Sequence, residues 1–370
     1  MKVNRIYIRL IDKLVWNKGS NMNLDDNIKT LFGEMTFNLN NCFLCGILLD
    51  KDNRTVEHIF PKWLQHKHKL WDKKLRILNG SDINYRKLIV PCCKKCNNEY
   101  LSEIEKQVRT AFDSGVEEVR NMDKTILYKW MMKIIYCLLF KELSLKLDRK
   151  VDNKMIISPD FLSKYRVMYD YMMSIMNHVT IEEKMSSIFI FDVHTNNEDL
   201  DNNFFYIDDV LHGQFAIRSN EIGIICCLGD SKVIENSLYN YFLPFHKFKL
   251  HEIQFRQLIA DVFYKRKLLR NKNSFLTISN NIIQIRPFKV IYDEYNYQEY
   301  AKILYVLLNQ FGFKFNDIYC EKNDSVINLM IDSIQRLIIY NESGKYTFGE
   351  IHNGWKGELF GDTNGVVRLE

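Results

Sequence analysis

The chain has 370 residues, of which 46% are hydrophobic and 26% charged, with a formal net charge of +5. These values are ordinary for a globular protein, and the length allows two domains or one large core with an appended module. Nine cysteines are too few for a disulfide scaffold, and no apolar run approaches the roughly 20 residues of a membrane span. We therefore expect a soluble, cytoplasmic protein that does not enter a membrane.

Residues 1–35 form a lead-in segment to which the sequence assigns no function. A Cys-x-x-Cys pair then predicts a zinc knuckle in which Gly46 relieves a tight turn. The elements predicted after the knuckle are a strand over 54–60 that ends at Pro61, a polar and basic loop with Trp63 and Trp71, a strand over 87–90, and a helix over 93–105.

Two thiol pairs flank these elements, Cys42 with Cys45 and Cys93 with Cys96. Four thiolates in two Cys-x-x-Cys pairs can close one tetrahedral zinc site. The alternative, a pair of redox dithiols, is not favoured because no thioredoxin-like βαβ pattern surrounds them. Cys92 is interpreted as a bystander of this site.

Positive charge is concentrated between Lys51 and Tyr100, where twelve lysines and arginines face five acids for a net charge of +7. The rest of the chain is slightly negative. This distribution suits a phosphate-backbone partner, although a solvated basic loop would look the same. The lysines predicted to contact nucleic acid are Lys62, Lys67, Lys69, Lys94 and Lys95.

Between the thiol pairs the chain reads Glu57-His58-Ile59-Phe60-Pro61-Lys62-Trp63-Leu64, and the second pair lies within Val90-Pro91-Cys92-Cys93-Lys94-Lys95-Cys96-Asn97-Asn98. These motifs, over about residues 40–110, resemble the HNH endonucleases, which have a ββα-metal fold. The match is closer to a zinc-bearing bacterial subgroup with Glu-His-(Ile/Val)-Phe-Pro-x-Trp-Leu and Val-Pro-x-Cys-x-x-Cys-Asn-Asn.

The resemblance implies that His58 is the general base, and that Glu57 and Asn97 are ligands of a catalytic divalent ion. It implies that Cys42, Cys45, Cys93 and Cys96 bind a structural zinc ion. The sequence departs from the family at Leu88, where many members carry the middle Asn of the motif. Asn84 or Asn79 could substitute from a longer loop.

The chemistry can also be stated without the family. A neutral histidine can take a proton from water near pH 7, and a hard cation such as Mg²⁺ on carboxylate and amide oxygens can neutralise charge on a phosphate. Asn98 and Glu99 compete with Asn97 for the metal role. His66 and His68 are expected on the surface of the basic loop, and Glu105 on an exposed helix face or packed beneath the site.

The remaining chain predicts a second α+β unit after a polar break at 113–124. An amphipathic helix over 125–147 and another over 161–176 precede an antiparallel meander whose strands lie between 187 and 228. Further helices are predicted over 251–269, 295–311 and 325–337, with a hairpin over 276–285 that turns at Asn280-Asn281. The tail over 344–365 is interpreted as turns and short strands.

We predict an α+β protein with a lead-in at 1–35, an HNH module at 36–112 and a domain of unknown role at 125–370. The predicted function is a metal-dependent endonuclease acting on double-stranded DNA, with structural Zn²⁺ and catalytic Mg²⁺ or another divalent cation. A role in bacterial defence follows only from family analogy. The alternatives are a zinc-knuckle protein that binds nucleic acid without cutting it and an RNA-directed nuclease toxin. The C-terminal domain could also bind a regulatory partner or a second copy of the chain.

Overall fold

The computed structural model describes residues 39–77, 80–143, 146–148, 151–155, 171–177, 180–195, 203–210, 212–270, 274–279, 282–287, 290–332, 336–340 and 345–349. The lead-in at 1–35, most of the predicted helix over 161–176, Asn79, the turn at Asn280-Asn281 and most of the tail lie outside these ranges. None of the helices in the described part of the chain combines the length and apolar character needed to cross a bilayer.

The first elements form a small unit around the two thiol pairs. Its strands and helices are β1 (Arg54–His58), α1 (Lys62–Lys67), β2 (Lys74–Arg76), β3 (Asp82–Asn84), β4 (Ile89–Cys93), a π-helical segment (Cys96–Leu101) and α2 (Ser102–Ser114). β1 pairs antiparallel with β4, with Glu57 opposite Val90 and His58 opposite Ile89. Strand, strand and helix therefore follow in the predicted order.

The segment between β1 and β4 is more structured than the predicted loop. It contains α1, the β2–β3 hairpin and a 3₁₀ turn over Tyr85–Lys87. Leu64, Leu70 and Leu75 are buried, so an apolar interior holds this polar and basic stretch in place. The loop prediction was wrong because each element is too short to show a hydrophobic period.

A long buried helix follows the first unit. Gly115, with φ of 107°, separates α2 from the short helix α3 (Val116–Asn121), and α4 (Lys124–Leu143) comes next. The helix over 125–147 is thus confirmed over most of its length, but it is not amphipathic. The side chains buried around it include both the predicted apolar stripe and residues between its members: Leu127, Tyr128, Trp130, Met131, Met132, Lys133, Ile134, Ile135, Tyr136, Cys137, Leu138, Leu139 and Phe140.

The remaining elements are the strands of a four-stranded antiparallel sheet and the helices and strands around it. In chain order they are β5 (Lys146–Asp148), β6 (Val151–Met155), β7 (Thr180–Ile181), β8 (Ser187–Asp192), β9 (Phe204–Asp209), β10 (Gln214–Ser219), β11 (Ile222–Cys227), α5 (Val233–Phe242), α6 (Glu252–Leu268), β12 (Ser274–Ser279), β13 (Ile282–Pro287), α7 (Tyr297–Leu308), α8 (Phe315–Ile318), β14 (Tyr319–Cys320), β15 (Ser325–Val326), β16 (Leu337–Tyr340) and β17 (Tyr346–Gly349). Most of the described strand pairs are antiparallel, and the fold is α+β.

The predicted strands of the central sheet are confirmed, but their order is β8-β11-β10-β9 and not that of a simple meander. β9, β10 and β11 pair in sequence, and β8 pairs with β11 instead of β9. The helix predicted over 325–337 is also wrong. This stretch contains β15 and the start of β16, and the Asn328 side chain accepts hydrogen bonds from the backbone nitrogens of Met330 and Ile331 at 2.8 and 3.2 Å. α6 and α7 confirm two other predicted helices, and β12 with β13 confirms the hairpin.

The central sheet lies between two apolar layers. One face, including Tyr206 and Ile217, packs with α4 and the first unit, and the other face, including Phe205 and Ile207, packs with α5, α6 and α7. Phe60, just after β1, meets Tyr206 edge-on at a centroid distance of 4.8 Å. The first unit and the sheet therefore share one core.

Candidate functional site

Four sulfur atoms gather at one end of the first unit. The Sγ atoms of Cys42, Cys45, Cys93 and Cys96 all lie within 4.8 Å of one another, and those of Cys45 and Cys93 are 3.7 Å apart. A tetrahedral ion with metal–sulfur bonds of about 2.3 Å requires sulfur–sulfur edges of roughly 3.8 Å. The four cysteines can therefore bind a zinc ion, as their spacing predicted.

Local backbone geometry explains why the sulfurs converge. The Gly46 nitrogen donates to the Cys42 carbonyl oxygen at 2.9 Å, and the φ of 73° at Gly46 confirms the predicted tight turn. In the second pair, the Cys96 nitrogen donates to the Cys93 sulfur at 3.4 Å. The Phe43 nitrogen donates to the Pro91 carbonyl oxygen at 2.9 Å, which joins the knuckle to β4. The site thus connects the knuckle, β4 and the start of the helix.

The crowding of the thiols changes their acidity. The Cys45 thiol donates a hydrogen bond to Cys42, which raises the pKa of Cys45 to about 12, while the hydrogen bonds that Cys42 receives hold its own pKa well below the usual range. The cluster therefore favours one thiolate, at Cys42, with its neighbours as donors. Zinc binding requires the other thiols to release their protons. Cys92 is buried and is not one of the four clustered sulfurs, but its thiol forms a hydrogen bond with Cys42.

His58 ends β1 with a half-buried side chain. Its Nδ1 is buried and has no hydrogen-bond partner in the described part of the chain. Its ring lies 5.9 Å from that of Trp71, and Trp71 stacks on His66 at 5.3 Å with 15° between the rings. Burial, followed by the positive charge of Lys62, lowers the pKa of His58. The imidazole is thereby kept neutral near pH 7.

Glu57 lies on the opposite side of β1 from His58, because successive side chains of a strand alternate between its faces. It is only 5% exposed, and its Oε1 forms an ion pair with the Nζ of Lys133 from α4. Burial raises the pKa of Glu57 to about 7, with part of the effect offset by Lys133. A cation beside His58 could use this carboxylate only if the side chain left Lys133, and the metal-ligand role of Glu57 stays a prediction.

Lys133 connects α4 to the end of β1. Its Nζ donates to the carbonyl oxygens of His58 and Ile59 at 2.8 and 3.3 Å and to Oε1 of Glu105 at 2.9 Å. Burial alone would lower the pKa of Lys133, but Glu105 and Glu57 together raise it above its usual range. Glu105 is therefore packed beneath the site, which was one of its two predicted positions.

Asn97 anchors the start of the helix on β1. Its Nδ2 donates to Oγ1 of Thr55 and to the carbonyl oxygen of Val56, both at 3.1 Å. Asn97 is thereby attached two residues before His58, and its side-chain oxygen remains the atom suited to a cation. The competing candidates Asn98 and Glu99 are exposed.

The middle position of the motif is filled by a buried leucine. The carbonyl oxygen of Leu88 accepts from the Ile59 nitrogen at 2.9 Å, so its backbone holds the chain just after His58. Asn84 instead donates from Nδ2 to the Asp72 carbonyl oxygen at 2.9 Å, which fixes the loop that carries Trp71. The first contact uses only the backbone of residue 88 and the second does not involve this residue, so both are compatible with a leucine at this position.

The predicted nucleic-acid-binding lysines are all exposed, namely Lys62, Lys67, Lys69, Lys94 and Lys95. Lys67 forms an ion pair with Asp113 at 3.2 Å. His66 is on the surface as expected, but His68 is not. His68 is 5% exposed, and its Nε2 lies 2.8 Å from Oγ of Ser219 on β10.

Sequence reasoning missed Lys133 as part of this site. Its only sequence signal is a positive charge beside the apolar stripe of α4, which by itself indicates a solvated helix face. The chain matches no protein-family model, no curated protein and no solved structure. Its function therefore has to be inferred from the geometry of the site.

Proposed function

We propose that the chain is a metal-dependent HNH-type endonuclease that hydrolyses phosphodiester bonds of DNA, with His58 as the general base. One observation carries the proposal. The four-cysteine cluster joins the knuckle, β4 and the helix start, and Asn97 at that start is bonded to the strand that ends in His58. A histidine and an amide oxygen are thereby held by one small scaffold beside exposed lysines.

The state of His58 suits proton transfer from water. Its lowered pKa leaves it neutral at physiological pH, and with Nδ1 buried, Nε2 is the nitrogen available to a water molecule. Lys133 donates to the His58 carbonyl oxygen and the Ile59 nitrogen donates to the Leu88 carbonyl oxygen, and these two hydrogen bonds fix the backbone on the C-terminal side of His58. The backbone that carries the imidazole is thus fixed before substrate arrives.

The two ion types have different support. Zinc at the four sulfurs would be structural, because all four positions of a tetrahedron are taken by protein ligands. A divalent cation such as Mg²⁺ would supply charge neutralisation at the phosphate, with Asn97 and, after release from Lys133, Glu57 as its protein ligands. Thiolates that bind zinc require reducing conditions, so we place the protein in the cytoplasm.

The test is cleavage of a supercoiled plasmid in the presence of Mg²⁺ by the parent protein and His58→Ala. We expect the parent to cut and His58→Ala to be slower by at least about a hundredfold, the usual contribution of a general base. His246→Ala, an exposed histidine of the C-terminal part, is the matched control and should cut like the parent. A His58→Ala protein as active as the parent would falsify the mechanism.

Two further variants separate the roles of the carboxylate and the amide. If Glu57 binds the cation, Glu57→Gln should require more Mg²⁺ for half-maximal rate, as should Asn97→Ala. If Glu57 only neutralises Lys133, the Glu57→Gln variant should require the same Mg²⁺ concentration as the parent for half-maximal rate. A parent protein that binds DNA but never cuts it would support the alternative function, a zinc-stabilised nucleic-acid-binding protein.

A further inference from the structure

A stacked aromatic pair lies beside the candidate base. His66 at the end of α1 is exposed, and the half-buried Trp71 stacks on the His66 ring and lies 5.9 Å from the ring of His58. Because His66 is exposed, its ring removes little apolar surface from water and adds little to the stability of the fold. The pair therefore needs another explanation.

The chain on both sides of Trp71 is held firmly. Leu70 and Leu75 are buried, the Lys73 nitrogen donates to the Leu70 carbonyl oxygen at 2.8 Å, and Arg86 forms an ion pair with Asp72 at 2.7 Å. The indole thus starts from a fixed position next to His58. A rigid aromatic side chain loses little conformational entropy when a flat ligand stacks on it.

We propose that His66 and Trp71 form a stacking surface for an unpaired nucleobase next to the phosphate at His58. The proposal rests on the proposed function and names its substrate as a single strand or a locally unpaired duplex. Lys62, whose charge acts on His58, and Lys69, two residues before Trp71, are exposed and match the charge of a phosphate backbone. A base in an intact duplex has both faces covered by its neighbours, whereas an unpaired base offers a face to an aromatic ring.

The test measures binding without added divalent cation, so that cleavage does not interfere. The probes are oligothymidylate and an abasic oligomer of equal length, which has the same phosphates but no bases. We expect oligothymidylate to quench tryptophan emission and to bind about tenfold more tightly than the abasic oligomer, since stacking on one aromatic side chain is commonly worth a factor of that order. The chain has five tryptophans, so Trp71→Phe identifies the source of the quenching by abolishing it.

His66→Ala and Trp71→Ala should each bring binding of oligothymidylate close to that of the abasic oligomer. Tyr239→Ala removes an exposed aromatic ring on α5 and should bind like the parent. Trp71→Phe keeps an aromatic ring if Trp71→Ala fails to fold. Equal binding of the two oligomers by the parent, or an equal loss in Tyr239→Ala, would overturn the proposal. Its failure leaves the plasmid result for His58→Ala unaffected, so the two proposals can fail separately.

Discussion

At the scale of single residues, the charge balance beneath β1 is uneven. One ammonium group, Lys133, faces two carboxylates, Glu57 and Glu105, in a place where Glu57 and Lys133 are almost inaccessible to water. Buried charges are tolerated only when they are paired and hydrogen-bonded. The two backbone carbonyls that Lys133 also reaches make it a support for the end of β1.

We expect Lys133→Met to lower the free energy of unfolding by about 3–5 kcal/mol at pH 8, the usual cost of removing one partner of a buried pair. The loss should be smaller at pH 5.5, because the pKa of Glu57, about 7 in the parent, rises further without Lys133 and its proton removes the unpaired charge. Urea unfolding at the two pH values measures both effects. Lys129→Met on the same helix is the control, and an equal loss in that variant would contradict the prediction.

At the scale of elements, the correct predictions came from local sequence patterns, and the missed features were contacts between residues far apart in the chain. The strands of the central sheet and helices α4, α6 and α7 were predicted from apolar residues within each element, and the two Cys-x-x-Cys pairs predict the sulfur cluster by spacing alone. His68 was missed because its partner, Ser219, is 151 residues away. Lys133 was missed for the same reason, since its charge is balanced by carboxylates on β1 and α2.

The four sulfurs join the knuckle to the start of the helix, and a zinc ion bound there would stabilise both. In Cys45→Ser we expect the content of one zinc ion per chain to be lost, together with several kcal/mol of stability, because metal-binding energy is folding energy in small units of this kind. Mass spectrometry under native conditions measures the zinc, and thermal unfolding measures the stability. Cys320→Ser, which changes an exposed thiol outside the cluster, should keep both. A Cys45→Ser protein with a full zinc complement would contradict this assignment.

At the scale of the whole molecule, the first unit is attached to the sheet through both apolar and polar contacts. Phe60 packs on Tyr206, and His68 lies in the same contact, bonded to Ser219 and 5.1 Å from the ring of Phe204. The site at His58 therefore rests on a core that continues into the C-terminal half of the chain. A change that weakens this contact should therefore affect both the first unit and the central sheet.

Acid should loosen this contact through His68. Burial, with the nearby charges of Lys67, Lys73 and Arg218, lowers its pKa to about 4. The folded state therefore holds neutral His68, while the unfolded chain takes up a proton below pH 6.5. The stability from His68 is complete above that pH and is lost as the pH falls toward 4. Each unit of pKa difference is worth about 1.4 kcal/mol, so we expect a loss of about 2 kcal/mol between pH 7 and 5.

His68→Gln can keep a hydrogen bond to Ser219 but cannot titrate, so its unfolding free energy should fall less than that of the parent over the same pH range. Urea unfolding at pH 7, 6 and 5 measures the difference in slope. His66→Gln removes an exposed imidazole two residues away and should keep the slope of the parent. If His68→Gln and the parent have the same slope, His68 does not link acid stability to this contact. If His66→Gln flattens the slope equally, the effect belongs to the surface charge of α1 and not to the buried junction.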